Sequence, residues 1–412
     1  MRFLILLITA WVAFSSFAQD AVPRWEAVFE GVDSNRDGKI SEIELEGVGR
    51  PTAWLEKADR DGDGMADRNE MSQFFQRAIA ALREKEPGES EVVQSLNPKE
   101  GDHVTRAGIR AAEKYSADHE GHSFLLMIKG ATLHESYANG WDKTKGHRLA
   151  SGTKSFSGAL LALAVKDGLL TPDEAVSATL TEWEDDDQLK VITIRQLLNL
   201  TSGIDPGKVG RVPSYDDVVG VSAVSPASEA FRYGPNAFQI FGEVLRRKLA
   251  DREDFPFRDP VAYLEAKVFD HIGLEYTQWR RDSGGFPNLP SGTFITAVEW
   301  AKFGQLLLQE GKWDGKPLLD QRTLAEAVLP QSDVTSKYGL TFWLLGRGVG
   351  ENRPWLAGAY MAAGAGKQRL FILPAVEMVV VRQGESRKFE DLKFLDLLFS
   401  LDSDVGSVET EE

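Results

Sequence analysis

The chain has 412 residues and a formal net charge of −16, which argues against a nucleic-acid partner because phosphate binding needs a basic face. Hydrophobic residues make up 42% of it, enough for a large packed core and for more than one domain. There is no cysteine, which excludes disulfides, thiol catalysis and cysteine metal sites.

The N-terminus, MRFLILLITAWVAFSSFAQD, has the pattern of an export signal. Arg2 precedes an apolar run, and the small residues Ser16 and Ala18 predict cleavage directly after Ala18. The run is shorter than the ~20 residues that a spanning helix needs, although an uncleaved anchor stays open as an alternative. We therefore expect residues 1–18 to be a signal peptide and the mature protein to be secreted or periplasmic, without a membrane span.

Two segments of the acidic stretch 19–84 fit a twelve-residue calcium loop, DSNRDGKISEIE at 33–44 and DRDGDGMADRNE at 59–70. Each loop places carboxylate or amide oxygens at its odd positions, a glycine at the sharp turn and a bidentate glutamate at position twelve. Position seven contributes a backbone carbonyl, so any residue type is acceptable there. The expected ligands are Asp33, Asn35, Asp37, Lys39, Ser41 and Glu44 in the first loop, and Asp59, Asp61, Asp63, Met65, Asp67 and Glu70 in the second.

These loops resemble those of EF-hand proteins, although their short separation is also similar to dockerin-like repeats. The resemblance implies an all-α EF-hand pair that binds two Ca²⁺ ions, needs no organic cofactor and is compatible with a protein partner. Paired loops usually form a short strand contact at position eight, here Ile40 and Ala66. Because clustered carboxylates repel one another without a cation, we expect this module to be loose without calcium and ordered with it.

The remainder of the chain divides into a Pro/Gly/Ser-containing linker at 85–101, a mixed helical and strand region at 102–401, and an acidic tail at 402–412. The elements predicted within the mixed region, in chain order, are a helix at 106–115, two strands in 123–138 joined around Gly130, helical segments at 192–200 and 237–250, and a strand pair in 371–384 turning at Pro374.

One helix of this region combines an apolar run with two reactive side chains. Residues 158–165 are almost wholly apolar, which predicts a helix buried on every side, yet Ser151 and Lys154 lie just before this run. Their spacing of three places both on one helix face. A lysine activates a serine only when neutral, and lowering its pKa from ~10.4 to ~7 costs roughly 4–5 kcal/mol, which burial can supply. The tetrapeptide alone also fits a serine near a helix cap beside a lysine that extends to solvent.

The wider sequence resembles the serine β-lactamase and penicillin-recognising family, in particular its class C-like branch of esterases, amidases and D-amino-acid peptidases. The resemblance begins with the nucleophile segment at 147–183 and continues in family order. It implies an α/β (α+β) fold of the β-lactamase/transpeptidase type, with an antiparallel sheet flanked by helices and a separate helical lobe. The further similar blocks are 192–204, 231–245, 263–279, 291–319, 338–344 and 362–381.

The resemblance also implies roles for particular residues. Ser151 corresponds to the acylated nucleophile, Lys154 to its proton partner and Tyr233 to the tyrosine that shuttles protons, although Tyr233 also fits a core aromatic residue. The backbone N–H groups of Ser151 and Ala365 correspond to the oxyanion hole.

Two departures from the family pattern bear on the substrate. Pro235 stands where the tyrosine motif usually has Asn, and Asn236 comes one place late. Ala362 stands where the third motif usually has Lys or His, and Lys367 and Arg369 are either substitutes for that cation or surface charges. Because the cation normally holds a substrate carboxylate, the sequence favours uncharged acyl esters or amides.

Other mechanisms fit the sequence less well. It contains no G-x-S-x-G elbow, and its six histidines form no H-E-x-x-H pair. His119 and His122 are expected to be surface histidines rather than a zinc site. We therefore predict a secreted serine hydrolase that acts on a small-molecule or peptide acyl substrate, with a calcium-binding N-terminal module. The alternatives are a DD-peptidase or β-lactamase, and a catalytically inactive calcium-dependent scaffold.

Overall fold

The structure is a computed structural model that describes residues 29, 32–47, 55–73, 104–345 and 353–400. The predicted signal peptide, linker and acidic tail lie outside these residues. The described residues belong to two compact units, one within 1–91 and 348–357 and the other within 92–347 and 358–412. The domain boundaries expected from the sequence stay a prediction.

The N-terminal unit is organised around two short strands, one from each predicted calcium loop. Strand β1 (Lys39–Ile40) pairs with β2 (Ala66–Asp67) in antiparallel register, with Ile40 opposite Ala66. Both side chains are fully buried, so the expected strand contact is present. Helix α1 (Glu42–Gly47) follows the first strand, and α2 (Leu55–Ala58) precedes the second loop.

The larger unit contains a six-stranded antiparallel sheet and a small three-stranded sheet. The remaining strands are β3 (Gly121–Ile128), β4 (Ala131–Tyr137), β5 (His147–Arg148), β6 (Gln278–Trp279), β7 (Thr293–Ile295), β8 (Lys312–Trp313), β9 (Lys316–Pro317), β10 (Trp343–Leu344), β11 (Tyr360–Gly364), β12 (Gln368–Leu373) and β13 (Met378–Gly384). The large sheet has the order β10-β11-β12-β13-β3-β4, the small sheet has the order β5-β7-β6, and β8 pairs with β9. The two hairpins turn where the sequence predicts, at Gly130 with a φ of 82° and at the 3₁₀ turn Pro374–Val376.

The helices of this unit are α3 (Arg106–Asp118), α4 (Ser155–Lys166), α5 (Ile194–Leu198), α6 (Tyr215–Val219), α7 (Asn236–Ala250), α8 (Pro260–Leu264), α9 (Asp270–Ile272), α10 (Ala297–Leu308), α11 (Gln321–Ala327) and α12 (Asp391–Leu398). Helix α4 is buried from Ser155 through Ala164, which confirms the helix predicted from the apolar run. The helical segments predicted at 106–115, 192–200 and 237–250 appear as α3, α5 and α7. No helix among the described residues is long and apolar enough to cross a membrane.

Helices cover both faces of the large sheet. Helix α10 packs against β12, β13 and β3, where Gly304 lies so close to Val379 that an added Cβ would be 2.6 Å from its side chain. Because side chains alternate along a strand, Phe371 faces away from α10. Its ring packs instead against Phe394 of α12, which also contacts Phe124 of β3. The antiparallel sheet flanked by helices, with a separate group of helices around α4, confirms the predicted fold class.

We expect Phe394→Ala to lower the free energy of unfolding by about 3–5 kcal/mol, because it removes a fully buried ring and leaves a cavity between helix and sheet. Urea unfolding followed by circular dichroism measures this change. Leu392→Ala on the same helix is the matched control, since Leu392 is 37% exposed and its loss should change stability by less than about 0.5 kcal/mol. Equal effects of the two substitutions would contradict this packing.

Candidate active site

Ser151 and Lys154 lie on a single 3₁₀ turn, Ala150–Lys154, which continues directly into α4. Side chains three residues apart eclipse one another on a 3₁₀ helix, so this turn brings the two groups closer than an α-helix would. The Lys154 Nζ donates hydrogen bonds to the Ser151 Oγ at 3.2 Å and to the backbone carbonyl of Pro290 at 3.0 Å. The hydroxyl and the amine therefore meet at the edge of the core.

The Lys154 side chain is only 4% exposed, and burial lowers its pKa to about 7. Its Nζ lies 5.0 Å from the ring centroid of Tyr233 and 5.3 Å from that of Phe238. Aromatic faces stabilise a cation and so act to raise the pKa of the amine. The loss of solvation on burial lowers that pKa by more. A large fraction of the amine is consequently neutral at pH 7, the state that can accept a proton from a serine hydroxyl.

Tyr233 approaches the same point from the loop that precedes α7. Burial raises the pKa of its hydroxyl overall. A hydrogen bond with Ser151 and the positive charge of Arg369 both lower that pKa and offset part of the rise. The ring lies 5.8 Å from Trp343 and 6.3 Å from Phe231, measured between centroids. The structure thus brings together the three side chains singled out in the sequence, with Tyr233 beside an aromatic wall.

The end of β11 packs directly against the turn that carries Ser151. A Cβ on Gly364 would lie 1.9 Å from the Leu149 carbonyl oxygen and 2.9 Å from the Gly152 nitrogen, so only glycine permits this approach. Ala365 follows in the exposed turn after the strand, one residue beyond Gly364. Sequence reasoning missed the role of Gly364, although a glycine in the third family motif was the available signal.

The backbone before Ser151 is strained and held from two sides. Ala150 has a φ of 48°, a left-handed conformation that non-glycine residues rarely adopt. The Thr153 hydroxyl donates to the Ala150 carbonyl at 2.8 Å and accepts the Thr293 N–H at 3.2 Å, while the Leu149 N–H donates to the Thr293 carbonyl at 2.9 Å. Strand β7 therefore fixes the turn that presents the serine.

The structure locates the residues at which this chain departs from the family pattern. Ala362 is buried in β11 and brings no charge to the site. Arg369 is also buried, so its interpretation as a surface charge was wrong: its guanidinium binds both Asp391 carboxylate oxygens at 2.7 and 3.1 Å and donates to the Gly364 carbonyl at 3.2 Å. The Asn236 amide donates to the Asp205 carbonyl at 2.9 Å.

The first predicted calcium loop is folded around its acidic side chains. The Asp33 carboxylate accepts the N–H groups of Asp37 at 3.1 Å and Gly38 at 3.0 Å. Glu44 accepts the Ser34 and Ser41 N–H groups, each at 2.9 Å. Burial acts to raise the pKa of Glu44, but hydrogen bonds led by that of the Ser41 N–H lower it overall, which favours the carboxylate form.

The second loop repeats this arrangement. Asp59 accepts the N–H groups of Gly62 at 2.7 Å and Gly64 at 2.8 Å, and the Glu70 carboxylate accepts the Asp67 N–H at 3.0 Å.

In both loops, backbone N–H groups of the loop itself hold the carboxylates close together. Carboxylate oxygens of Asp59, Asp61 and Asp63 lie within 4.8 Å of one another, and Lys39 of the first loop forms an ion pair with Asp63. The first loop adds the side-chain oxygens of Asn35 and Ser41. An oxygen-only donor set of this kind fits Ca²⁺.

Comparison with known proteins identifies the class of this molecule. A model of the Beta-lactamase family matches residues 106–390, which is more than half of the chain, and the chain belongs to that family. Its members are serine hydrolases, including esterases, amidases and β-lactamases. An EF-hand model matches residues 26–48, which include the first loop. No curated protein matches this chain significantly.

Solved structures share the fold at low sequence identity. A penicillin-binding protein homolog from Caulobacter crescentus is 16% identical with a TM-score of 0.54, covering 68% of this chain and 92% of that one. EstCE1, a hydrolase with promiscuous acyltransferase activity, is 16% identical with a TM-score of 0.56, covering 72% and 98%. A class C β-lactamase is 10% identical with a TM-score of 0.53, covering 72% and 97%. These likenesses show the fold.

We expect Lys154→Met to stabilise the protein at pH 7 by about 1–3 kcal/mol. Folding forces a lysine with a pKa near 10.4 to adopt a pKa of about 7, which costs roughly 4–5 kcal/mol, while the Pro290 carbonyl loses a donor worth about 1–3 kcal/mol. Between pH 7 and about 10 the unfolded state binds the extra proton, so stability of the natural chain rises with pH in this window.

Urea unfolding of Lys154→Met and the natural chain at several pH values measures this difference. The advantage of the variant should shrink steadily from pH 7 to about 10, because the unfolded-state lysine then also becomes neutral. A variant that is destabilised by the same amount at pH 7 and at pH 10 would show that the burial of Lys154 carries no free-energy cost.

Proposed function

We propose that this chain is a serine hydrolase that cleaves an ester or amide of an uncharged acyl group through an acyl-enzyme on Ser151. The observation that carries the proposal is the 3.2 Å contact between the Ser151 hydroxyl and a buried lysine whose pKa is about 7. General-base activation of a serine requires an unprotonated base within hydrogen-bond reach, which for a lysine is the neutral amine, and this pair meets both conditions.

The proposed reaction has two halves. The Ser151 Oγ attacks the substrate carbonyl carbon while its proton passes to the Lys154 amine, and the negative charge that develops on the carbonyl oxygen is stabilised by the backbone N–H groups of Ser151 and Ala365. Collapse of the tetrahedral intermediate breaks the bond to the alcohol or amine. This leaving group takes the proton from Lys154, relayed through Tyr233. Water then adds to the acyl-enzyme, Ser151 leaves with a proton, and the carboxylic acid is released.

Charge and aromatic content support an uncharged substrate. The position that usually carries a cation is Ala362, and Arg369 is paired with Asp391. Beside Tyr233, the partly exposed rings of Phe231 and Trp343 form an aromatic wall, 6.2 Å apart between centroids, and the buried Tyr338 ring packs behind them at 5.5 and 5.0 Å. Such a wall favours an apolar acyl group of a small molecule or peptide over a carboxylate.

The N-terminal module is proposed to bind two Ca²⁺ ions, held by the two sets of oxygen ligands predicted from the sequence. The first loop has the stronger support, because the EF-hand model covers it. The ion would bring together carboxylates that otherwise repel one another and so order the loops. Export through the predicted signal peptide at 1–18 would place the module where calcium is abundant.

We expect a fluorophosphonate probe to add one adduct to the natural chain and none to Ser151→Ala, as measured by intact-protein mass. The labelling rate should rise with pH around a midpoint near 7, because Lys154 must lose its proton to act as the base. The absence of an adduct on the natural chain would favour the alternative of an inactive calcium-dependent scaffold. Rapid hydrolysis of a penicillin-type reporter, without hydrolysis of neutral esters, would favour a β-lactamase or DD-peptidase.

The contribution of the tyrosine is tested by Tyr233→Phe, which keeps the ring contacts and removes only the hydroxyl. We expect turnover of a neutral ester to fall by about 10²–10⁴-fold. The matched control is Tyr137→Phe, whose hydroxyl donates to Glu135 on β4 and should be dispensable. Equal activity of both variants would remove Tyr233 from the mechanism.

We expect calcium to increase the helical circular dichroism and the protease resistance of the N-terminal module, with no comparable effect of magnesium. Glu44→Gln and Glu70→Gln each remove a position-twelve carboxylate and should each abolish one binding event in a calcium titration. Binding that neither substitution weakens would contradict the assignment of these loops.

A further inference from the structure

Two histidines and a glutamate meet within the larger unit. His122 lies in β3, His147 in β5, and Glu385 directly follows β13. His122 is half-buried and His147 is 4% exposed, so His122 does not match the surface position expected from the sequence. One ligand atom of each residue lies within 4.8 Å of the others.

The hydrogen bonds of His147 define which ring nitrogen carries no proton. Its Nδ1 lies 3.2 Å from the Arg148 carbonyl oxygen, and a carbonyl only accepts, so Nδ1 carries the proton. The Nε2 lone pair then points toward the His122 Nδ1, 3.0 Å away. A metal-binding histidine usually donates its second N–H to such a backbone carbonyl, which fixes the ring and its tautomer.

We propose that His122, His147 and Glu385 form a binding site for one divalent transition-metal ion of the zinc type. Two imidazole nitrogens on a tetrahedral zinc ion lie about 3.3 Å apart, given Zn–N bonds of ~2.0–2.1 Å. The observed 3.0 Å is close to this value, and the ion would replace the proton shared by the two nitrogens as both lone pairs turn toward it. Two imidazoles and a carboxylate suit zinc, whereas Ca²⁺ prefers oxygen ligands alone.

The surroundings support a cation that enters from solvent. An open cavity of about 470 Å³ is lined by Ala117, Asp118, Glu120, His122, Asn139 and Glu385. Three of these six residues are acidic. The Arg382 guanidinium opposes a cation; its Nη atoms donate to the carbonyls of His119, Gly366 and Lys367 at 2.6–2.9 Å, which directs these donors into the protein.

The rings are also held in place before any ion binds. The Trp141 ring stacks on His122 at 4.6 Å with an interplanar angle of 6° and lies 4.7 Å from His147. Burial lowers the pKa of both imidazoles, which keeps them in the neutral form that ligates metal. A bound ion would fasten β5, which leads into the Ser151 turn, to β3 and to the end of β13. The proposal is independent of the proposed hydrolase activity.

The test is isothermal titration of zinc chloride into the full chain after chelator treatment, in a buffer with millimolar calcium so that the N-terminal loops are saturated. We expect one zinc equivalent to bind, His122→Gln and Glu385→Gln to weaken it at least about tenfold, and His271→Gln to leave it unchanged. His271 is an exposed imidazole on α9 and therefore the matched control. At a hundredfold excess over Kd, zinc should raise the melting temperature of the natural chain by about 5 °C.

Replacement of zinc by Co²⁺ identifies the ligands, since the intense visible absorption of tetrahedral cobalt should appear in the natural chain and vanish in His122→Gln. The predicted calcium loops contain no histidine, so nitrogen-ligated cobalt cannot be located there. Glu385→Gln keeps the test valid if the histidine variant misfolds, because Glu385 is exposed. Zinc binding that survives both substitutions, or no binding to the natural chain, would mean that a shared proton alone joins the two rings.

Discussion

The burial of a single lysine side chain controls the chemistry of the candidate active site. The Lys154 amine faces Ser151, the Pro290 carbonyl and two aromatic rings, and none of these groups carries a negative charge. Neutral acceptors return only part of the solvation that an ammonium loses on burial, so the neutral amine becomes accessible near pH 7. The apolar helix α4 therefore has two roles. It builds the core, and by excluding water it lowers the pKa of a lysine amine that would be a cation at the surface.

That chemistry depends equally on where the turn is held. Ser151 follows a residue with a left-handed backbone, a conformation that persists only when its surroundings fix it. Thr153 and Leu149 bind the turn to β7, and Gly364 brings the end of β11 against it without a side chain between them. The turn that carries Ser151 and the strand that leads to Ala365 are thus positioned by backbone contacts. A methyl group at position 364 would disturb both while touching no reactive side chain.

Apart from the site residues implied by the family resemblance, the features predicted from the sequence are those encoded over short distances. The apolar run of α4, the hairpin at Gly130 and the calcium-loop spacing each lie within about one element, where periodicity and turn residues are informative. The features that were missed join distant segments. Arg369 forms hydrogen bonds with Asp391, 22 residues away, and His122 with His147, 25 residues away. Lys154 donates to the Pro290 carbonyl, 136 residues away. No local pattern specifies such partners, since tertiary packing alone brings them together.

The charge of the substrate and the state of the base are coupled in this site. An anionic group next to Lys154 would favour the ammonium form and so raise the pKa of the amine. Arg369 is paired with Asp391, although its charge still acts on Tyr233, and Ala362 brings no charge. In the proposed mechanism, a substrate carboxylate beside Lys154 would hold the lysine in its protonated form, which cannot accept the Ser151 proton. A neutral acyl group leaves the amine free to act as the proposed base.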